Sequence, residues 1–466
     1  MAETHDRGGG EPPVIAPGHS YATVTATIAD VVLKRPLDWR WFVGMGAGTS
    51  LIMLLGAAVS LLLFKGVGIW GINAPVMWGW AIVNFVWWIG IGHAGTLISA
   101  ILYLLKQQWR TSINRFTEAM TLFAVMCAGM FPLLHMGRPW KFWWLFPYPA
   151  TMDLLPQWRS PLVWDVFAVS TYFTVSLLFW YVGLIPDLAT LRDRAGNTFL
   201  AKVYGSLALG WRGSGRHWAR YKTAYMLLAA MATPLVVSVH SVVSLDFTAG
   251  IIPGWHSTVF PPFFVAGAIF SGFAMVLTLC IPLRSWYGLK DFITLKHLDY
   301  MSRVLLATGM IVGYGYASET FVAWYGGNPF ERHALLHARP WGSFRHAYWM
   351  MIFCNVMVPQ LLWSPAIRRN PMVLWIISIF VNIGMWLERY VIVVTSLSED
   401  FLPSSWAYFT PTFWDVAVFL GTIGFFVFCL FLFVRSLPAI AMAEMRELVH
   451  ETGHHGHAAQ AHGETP

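Results

Sequence analysis

Charge and cysteine are both scarce in this sequence. Only 11% of its 466 residues are Asp, Glu, Lys or Arg while 57% are hydrophobic, against roughly 25% charged residues in soluble domains. Too few polar groups remain to clothe a globular surface, which excludes an ordinary water-soluble fold. The four cysteines, Cys127, Cys280, Cys354 and Cys429, stand singly in four different apolar runs, with no CxxC, no CxxCH and no clustered Cys/His spacing. Covalent haem, an iron–sulfur cluster and a structural zinc are therefore not expected in this chain. The first 42 residues lack an apolar stretch between a basic start and a small-residue cleavage site, so no signal peptide is expected either.

What is present is length of apolar chain. A helix needs about 20 apolar residues to cross a bilayer, because lipid cannot satisfy backbone groups and the helix does so internally. Ten runs meet that length, near 43–64, 78–105, 116–137, 162–185, 222–244, 259–282, 303–325, 345–363, 372–394 and 412–434. The expected fold is all-α and integral to the membrane, with about ten spans. Many of the 26 tryptophans fall at span ends, among them Trp140, Trp143, Trp144, Trp324 and Trp406, as in the aromatic belts of the two interfaces. Filling of space between helices is the competing reading for about half of them.

The net charge of +7 reflects topology. Of the 30 Lys and Arg, 22 lie in tails, loops and span edges on one side and 7 on the other, with Arg389 alone inside a span. The basic excess marks the cytoplasmic side, so both termini are expected there, in a bacterial plasma membrane, and nucleic-acid binding is not needed to explain the charge. The longest loop on that side, near 186–221, reads as solvated and lipid-facing. The loops near 138–161 and 326–344 opposite are rich in Trp, Pro, Gly and Phe, as surfaces that meet a partner protein are. Residues 25–35 suggest a short interfacial helix. The tail HETGHHGHAAQAH reads as disordered, with adventitious metal binding as the alternative.

Two segments echo each other: AGTLISAI at 94–101 and AGAIFSGF at 266–273. A shift of four spans preserves orientation, so a duplicated four-helix unit fits; ordinary small-residue packing of membrane helices fits equally.

Ionisable groups inside spans cost at least a few kcal/mol each and are functional candidates by default. Here they gather in one layer. His135 ends the third span, Asp165 lies one turn into the fourth, and His240 precedes Asp246 on the fifth. Glu319 and Tyr325 end the seventh, and Glu388 and Arg389 lie in the outer half of the ninth. The inner half offers Glu118 and, near the midplane, His93. Such one-sided clustering suits oxidation of a lipid-soluble quinol near the outer surface: an imidazole takes a proton from one hydroxyl, and a buried carboxylate binds the head group and passes protons outward. His135 with Asp165 is the first candidate pair, with Asp246 and Arg389 as neighbours. His240, Glu319, Tyr325, Glu388, His93 and Glu118 are candidates for a proton route or a supporting shell. Asp246 with Arg389 has a structural ion pair as its alternative reading, Glu319 and Glu388 have loop anchoring, and His93 reads as a hydrogen-bonded buried histidine. His93 and His240 make no second pair of facing histidines such as b-type haems require.

The strings GHAGTLISAILYLL, HMGRPWKFWWLFPYP, SPLVWDVFAVSTYFTVSLLFWYVGLIPDLA and SVHSVVSLDF resemble the NrfD/polysulfide-reductase (PsrC-like) membrane subunit family, and most nearly the quinol-binding ActC subunit of alternative complex III, over residues 25–440. The resemblance implies two four-helix bundles flanked by peripheral first and last spans. The corresponding segments are 1–42, 43–77 (first span), 78–257 (first bundle), 258–394 (second bundle), 395–435 (last span) and 436–466 (tail). It also implies a menaquinol or ubiquinol pocket at the periplasmic face involving His135 and Asp165, with Asp246 and Arg389 beside it. The implied partners are an iron–sulfur or molybdopterin-like periplasmic subunit, multihaem and monohaem c-type cytochromes, a paralogous NrfD-like subunit (ActF) and a terminal oxidase, in addition to membrane lipids. The alternatives are a membrane anchor of a molybdopterin polysulfide-type reductase and an independent proton or solute transporter. Reporter fusions at both termini and within 186–221 are predicted to read cytoplasmic; an external reading of the long loop overturns the orientation.

Overall fold

A computed structural model describes residues 13–145, 158 and 160–461, with the side chains of Trp144 and of 452–461 outside that description. Every regular element among the described residues is helical. The order is α1 (Tyr21–Leu33), α2 (Trp39–Lys65), α3 (Trp80–Leu104), α4 (Asn114–His135), α5 (Pro161–Arg194), α6 (Thr198–Leu207) and α7 (Gly215–Thr248). There follow α8 (Phe260–Trp286), α9 (Leu295–Gly326), α10 (Arg345–Ile352), α11 (Pro371–Ser398), α12 (Phe413–Ser436) and α13 (Met442–Ala461).

Eight of these, α2, α3, α4, α5, α7, α8, α11 and α12, are long and apolar enough to cross a membrane. The runs expected at 303–325 and 345–363 are helical without meeting that criterion. The first lies in α9, whose 32 residues include Lys296, Asp299, Arg303 and Glu319. The second is broken: α10 passes into a π-helical turn at Phe353–Met357 and a 3-10 segment at Val358–Trp363. Most of the expected 186–221 loop is also helical, since α5 runs to Arg194 and α6 follows. The tail expected to be disordered is helical as far as Ala461, as part of α13, and His462 with the residues after it lies outside the described residues.

The ends of the helices follow from local chemistry. Ser214 accepts from the His217 amide at the start of α7, Asn370 from the Met372 and Val373 amides at the start of α11, and Thr412 pairs with Asp415 in a capping box at the start of α12. Each satisfies backbone donors that a helix cannot satisfy itself. Proline occupies the first turn of α5, α8 and α11, where its missing N–H costs nothing.

Packing arranges the helices as two rings. In the first, α3 contacts α4 and α7, and α5 closes the ring against both. In the second, α8 contacts α9 and α11, and the helical run 345–363 closes it. The rings meet through α8 on α3 and α7. Apolar on every side, α3 is buried on every side from Ala81 to Ser99 except at Leu97, as a central helix must be. The echoing segments touch: a methyl group added to Gly272 of α8 would strike Ala94 and the Ile91 carbonyl of α3. Of the residues the two segments share, Gly95 packs on Thr117 and Thr121 of α4 and Gly267 on Met385 of α11, each inside its own ring.

Outside the rings, α2 and α12 pack against each other, and α12 leans on α4. Their contact is backbone-close, because a methyl on Gly424 would strike Leu51 and lie 3.0 Å from the Gly48 carbonyl. At one face, α13 packs on α1, and Arg435 donates to the Val31 and Val32 carbonyls. The terminal helices α1 and α13 therefore share a face with the first turns of α4 and the last turns of α5. Gly424→Leu is predicted to detach α2 from α12, at a cost of at least the 1–3 kcal/mol of overpacking, and to lower the melting temperature of the purified protein; an unchanged melting temperature refutes the close contact.

Candidate functional site

The face opposite the termini carries an unpaired acidic site in the first ring. Asp165, one turn into α5, and Asp246, two residues before the end of α7, are both buried. Their carboxyl groups lie within hydrogen-bonding reach of each other. Neither oxygen of Asp165, nor Oδ1 of Asp246, has a hydrogen-bond partner among the described residues. As two carboxylates they can only accept, so nothing joins them; a single proton between them turns one into a donor to the other. Neither is paired with a cation among the described residues. Arg389, the expected partner of Asp246, contacts Glu388 instead.

His135 is the last residue of α4 and is half-buried. No hydrogen bond or ion pair links it to Asp165, although the turn Pro139–Leu145 touches both α4 and α5. The residues that follow this turn, 146–157 and 159, lie outside the described residues.

Near the middle of the first ring, His93 and His240 pack edge to face with ring centroids 4.3 Å apart, a direct contact with no space for a macrocycle between them. His93 lies between two backbone carbonyls, Nδ1 facing that of Ile89 at 3.2 Å and Nε2 that of Val236 at 2.5 Å, and a neutral ring donates to one of them. His240 is fully buried and neither of its nitrogens has a partner among the described residues. Beside them Tyr172 donates to the Gly92 carbonyl at 2.9 Å and lies 2.8 Å from the Thr96 hydroxyl.

The second ring holds a separate buried cluster. Arg389 and Tyr316 both donate to Glu388, Asn355 donates to the Tyr316 hydroxyl at 2.8 Å, and the Arg389 guanidinium lies 4.5 Å from the Phe264 ring centre. Glu319 accepts from Arg339 at 3.3 Å. Phe264, also 6.1 Å from His240, stands between this cluster and the histidines. Tyr325 is 77% exposed and stacks on Phe321, apart from every cluster.

Toward the termini the chain is richer in charge than its sequence suggests. Arg115 donates to Glu118 at 3.1 Å and to the Gly183 carbonyl at 2.6 Å, and lies 3.6 Å from Asp187. Tyr225 donates to Glu118 at 3.1 Å. Asp187 accepts from the Met442 and Ala443 amides at the start of α13, while Arg110 pairs with Glu444 at 2.8 Å. Apolar patterning places only Glu118 and His93 in the inner half; Arg110, Arg115 and Asp187 join them because α4, α5 and the segment before α4 fold their ends inward beneath α13. The i, i+3 spacing of Arg115 and Glu118 is the one signal of this in the sequence. Tyr316 has a similar signal, one helical turn before Glu319. Arg339 has none, since it comes from a loop.

The expected residues thus fall into separate places: Asp165 with Asp246, His93 with His240, Glu388 with Arg389, Glu319 with Arg339, and Glu118 in the ion network near the termini. Removing one partner of a buried pair strands the other at about 3–5 kcal/mol. Arg389→Leu is therefore predicted to lower the thermal stability of the purified protein by that order, and Tyr316→Phe by less; equal stability of Arg389→Leu and wild type contradicts the pairing.

Known proteins resemble this chain in sequence. Residues 70–399 match the family described as polysulphide reductase, NrfD. A protein of Halobacterium salinarum, named as a dimethyl sulfoxide reductase membrane subunit, is 25% identical over 414 residues, covering 82% of this chain and 90% of that protein. A selenate reductase subunit of Mesobacillus selenatarsenatis is 24% identical over 243 residues, 49% of this chain and 54% of that protein. With that family matched across both rings, the chain is a multi-pass membrane protein of the NrfD polysulphide reductase family.

Proposed function

We propose that the chain is the quinol-binding membrane subunit of a respiratory oxidoreductase, and that quinol is oxidised at Asp165 with Asp246 and His135. The observation that carries this reading is the Asp165–Asp246 pair, two buried carboxyl groups with no cation beside them. Stranded groups of that kind are costly in a bilayer and are kept where they serve a reaction. Quinol oxidation releases two protons and two electrons. Asp165 accepts the hydrogen bond and then the proton of one hydroxyl, Asp246 beside it shares that proton, and His135 at the mouth serves the second hydroxyl. The electrons leave through an iron–sulfur or molybdopterin-like subunit seated on the face opposite the termini, which we take as periplasmic. His93, His240, Glu319, Glu388 and Glu118 are proposed as groups along proton routes, and the two rings as the two bundles of residues 78–257 and 258–394.

Two complexes fit this role. In alternative complex III the electrons pass on to c-type cytochromes and a terminal oxidase, with a paralogous membrane subunit alongside; the strings GHAGTLISAILYLL, HMGRPWKFWWLFPYP and SVHSVVSLDF support it. In a terminal reductase of the kind named in the two relatives, the same quinol chemistry feeds a catalytic subunit directly, and those names support it. Asp165→Asn keeps the size and removes the charge, and His135→Phe keeps a ring without its nitrogens. Each is predicted to lower quinol:acceptor turnover of the intact complex about 10²-fold or more, the scale of losing a general base. Turnover near wild type in both variants removes the quinol from this site.

A further inference from the structure

We propose a second quinol-binding site, in the cleft where the two rings meet on the face opposite the termini. Its ligand rests on the quinol reading above; its location does not. The cleft has a volume of ≈ 480 Å³, within the range of small-molecule sites, which favour such junctions. Leu245, Val259, Val322 and Ala323 make an apolar wall, Glu319 lies at the back and His256 at the rim. The helix α7 separates this cleft from the first site: Leu245 and Thr248 face the cleft, whereas Asp246 meets Asp165.

Two acceptors there are free. Glu319 is only 7% exposed and accepts from Arg339 through Oε2, but its Oε1 has no partner among the described residues. His256 faces the Thr248 carbonyl through Nδ1 at 3.3 Å. A carbonyl only accepts, so Nδ1 carries the proton and Nε2 is left as an acceptor. The cleft thus offers the buried Glu319 carboxylate and the His256 imidazole, with the half-buried Glu331 also in its lining, and an apolar wall suited to the ring of a diol. An anionic phosphate head group without an amine brings further acceptors to Glu319 and Glu331, which argues against an anionic phospholipid as the occupant.

The test is labelling of the intact complex in nanodiscs with a photoreactive short-chain quinone, followed by peptide mapping. Two labelled regions are expected, one around Asp165 and Asp246 and one within 254–261 or 319–325, both suppressed by excess unlabelled quinone. Glu319→Gln should lower labelling of the second region about tenfold, the scale of one charge-assisted hydrogen bond, and leave the first region labelled. His256→Ala, at an exposed position, should also weaken the second region without touching the Glu319–Arg339 pair. An unlabelled second region, labelling that unlabelled quinone does not suppress, or labelling unchanged in both variants overturns this site. Label confined to the second region upholds it and removes the Asp165 assignment, whereas label in neither region overturns both.

Discussion

A charge inside a bilayer has no water to answer it, and the packing of this protein follows from that constraint. Nearly every buried ion has been given a partner. Arg115 holds Glu118 and lies near Asp187, Arg389 holds Glu388, Arg339 holds Glu319, and Arg110 holds Glu444. These pairs fix helix positions as well as charge. The Asp187 carboxylate anchors the first turn of α13 through two backbone amides, and Arg339 ties the helical loop 329–341 to α9. Two of these contacts, Arg115 with Asp187 and Arg110 with Glu444, join elements that lie far apart in the chain, whereas Arg115–Glu118 and Arg389–Glu388 are settled within one helix.

Against that background the exceptions stand out. Among the described residues, Asp165 and Asp246 face each other without a cation, and His240 has neither nitrogen satisfied. Burying a polar group without a partner costs about 1–3 kcal/mol, and more for a charged one. A membrane protein that pairs its other charges so consistently has reason to leave these open, and a substrate that brings its own hydroxyl donors supplies it. The π-helical turns at Leu97–Ile101 and Val391–Thr395 follow closely on His93 and on Arg389, and such turns often accompany functional positions.

Much of this is legible in the sequence. Span positions follow from apolar length, and Asp165, Asp246, Glu388 and Arg389 announce themselves as ionisable residues within apolar runs. The echo at 94–101 and 266–273 falls where α3 meets α8, with Gly272 against Ala94, but the shared Gly95 and Gly267 each pack inside their own ring. Pairing is not legible. Asp246 and Arg389 look like natural partners because they share a depth in the membrane, but the ring geometry sends Arg389 to its neighbour Glu388 and across Phe264. Depth along a helix is encoded by sequence position, whereas the direction a side chain faces depends on which helices close around it. Arg339 and Asp187 escape a sequence reading for the same reason: they sit in segments that read as loops or loop edges, and folding carries them inward. Tyr325 shares the depth of Glu319 and points outward.

The central claim is that the unpaired carboxyl pair of the first ring receives the quinol. A cryo-EM map of the intact complex with a quinol-site inhibitor bound tests it most directly. The account predicts the inhibitor head group between His135 and Asp165, with a polar atom within hydrogen-bonding distance of the Asp165 carboxyl. A head group seated elsewhere, with Asp165 and Asp246 still enclosed by protein alone, would contradict it.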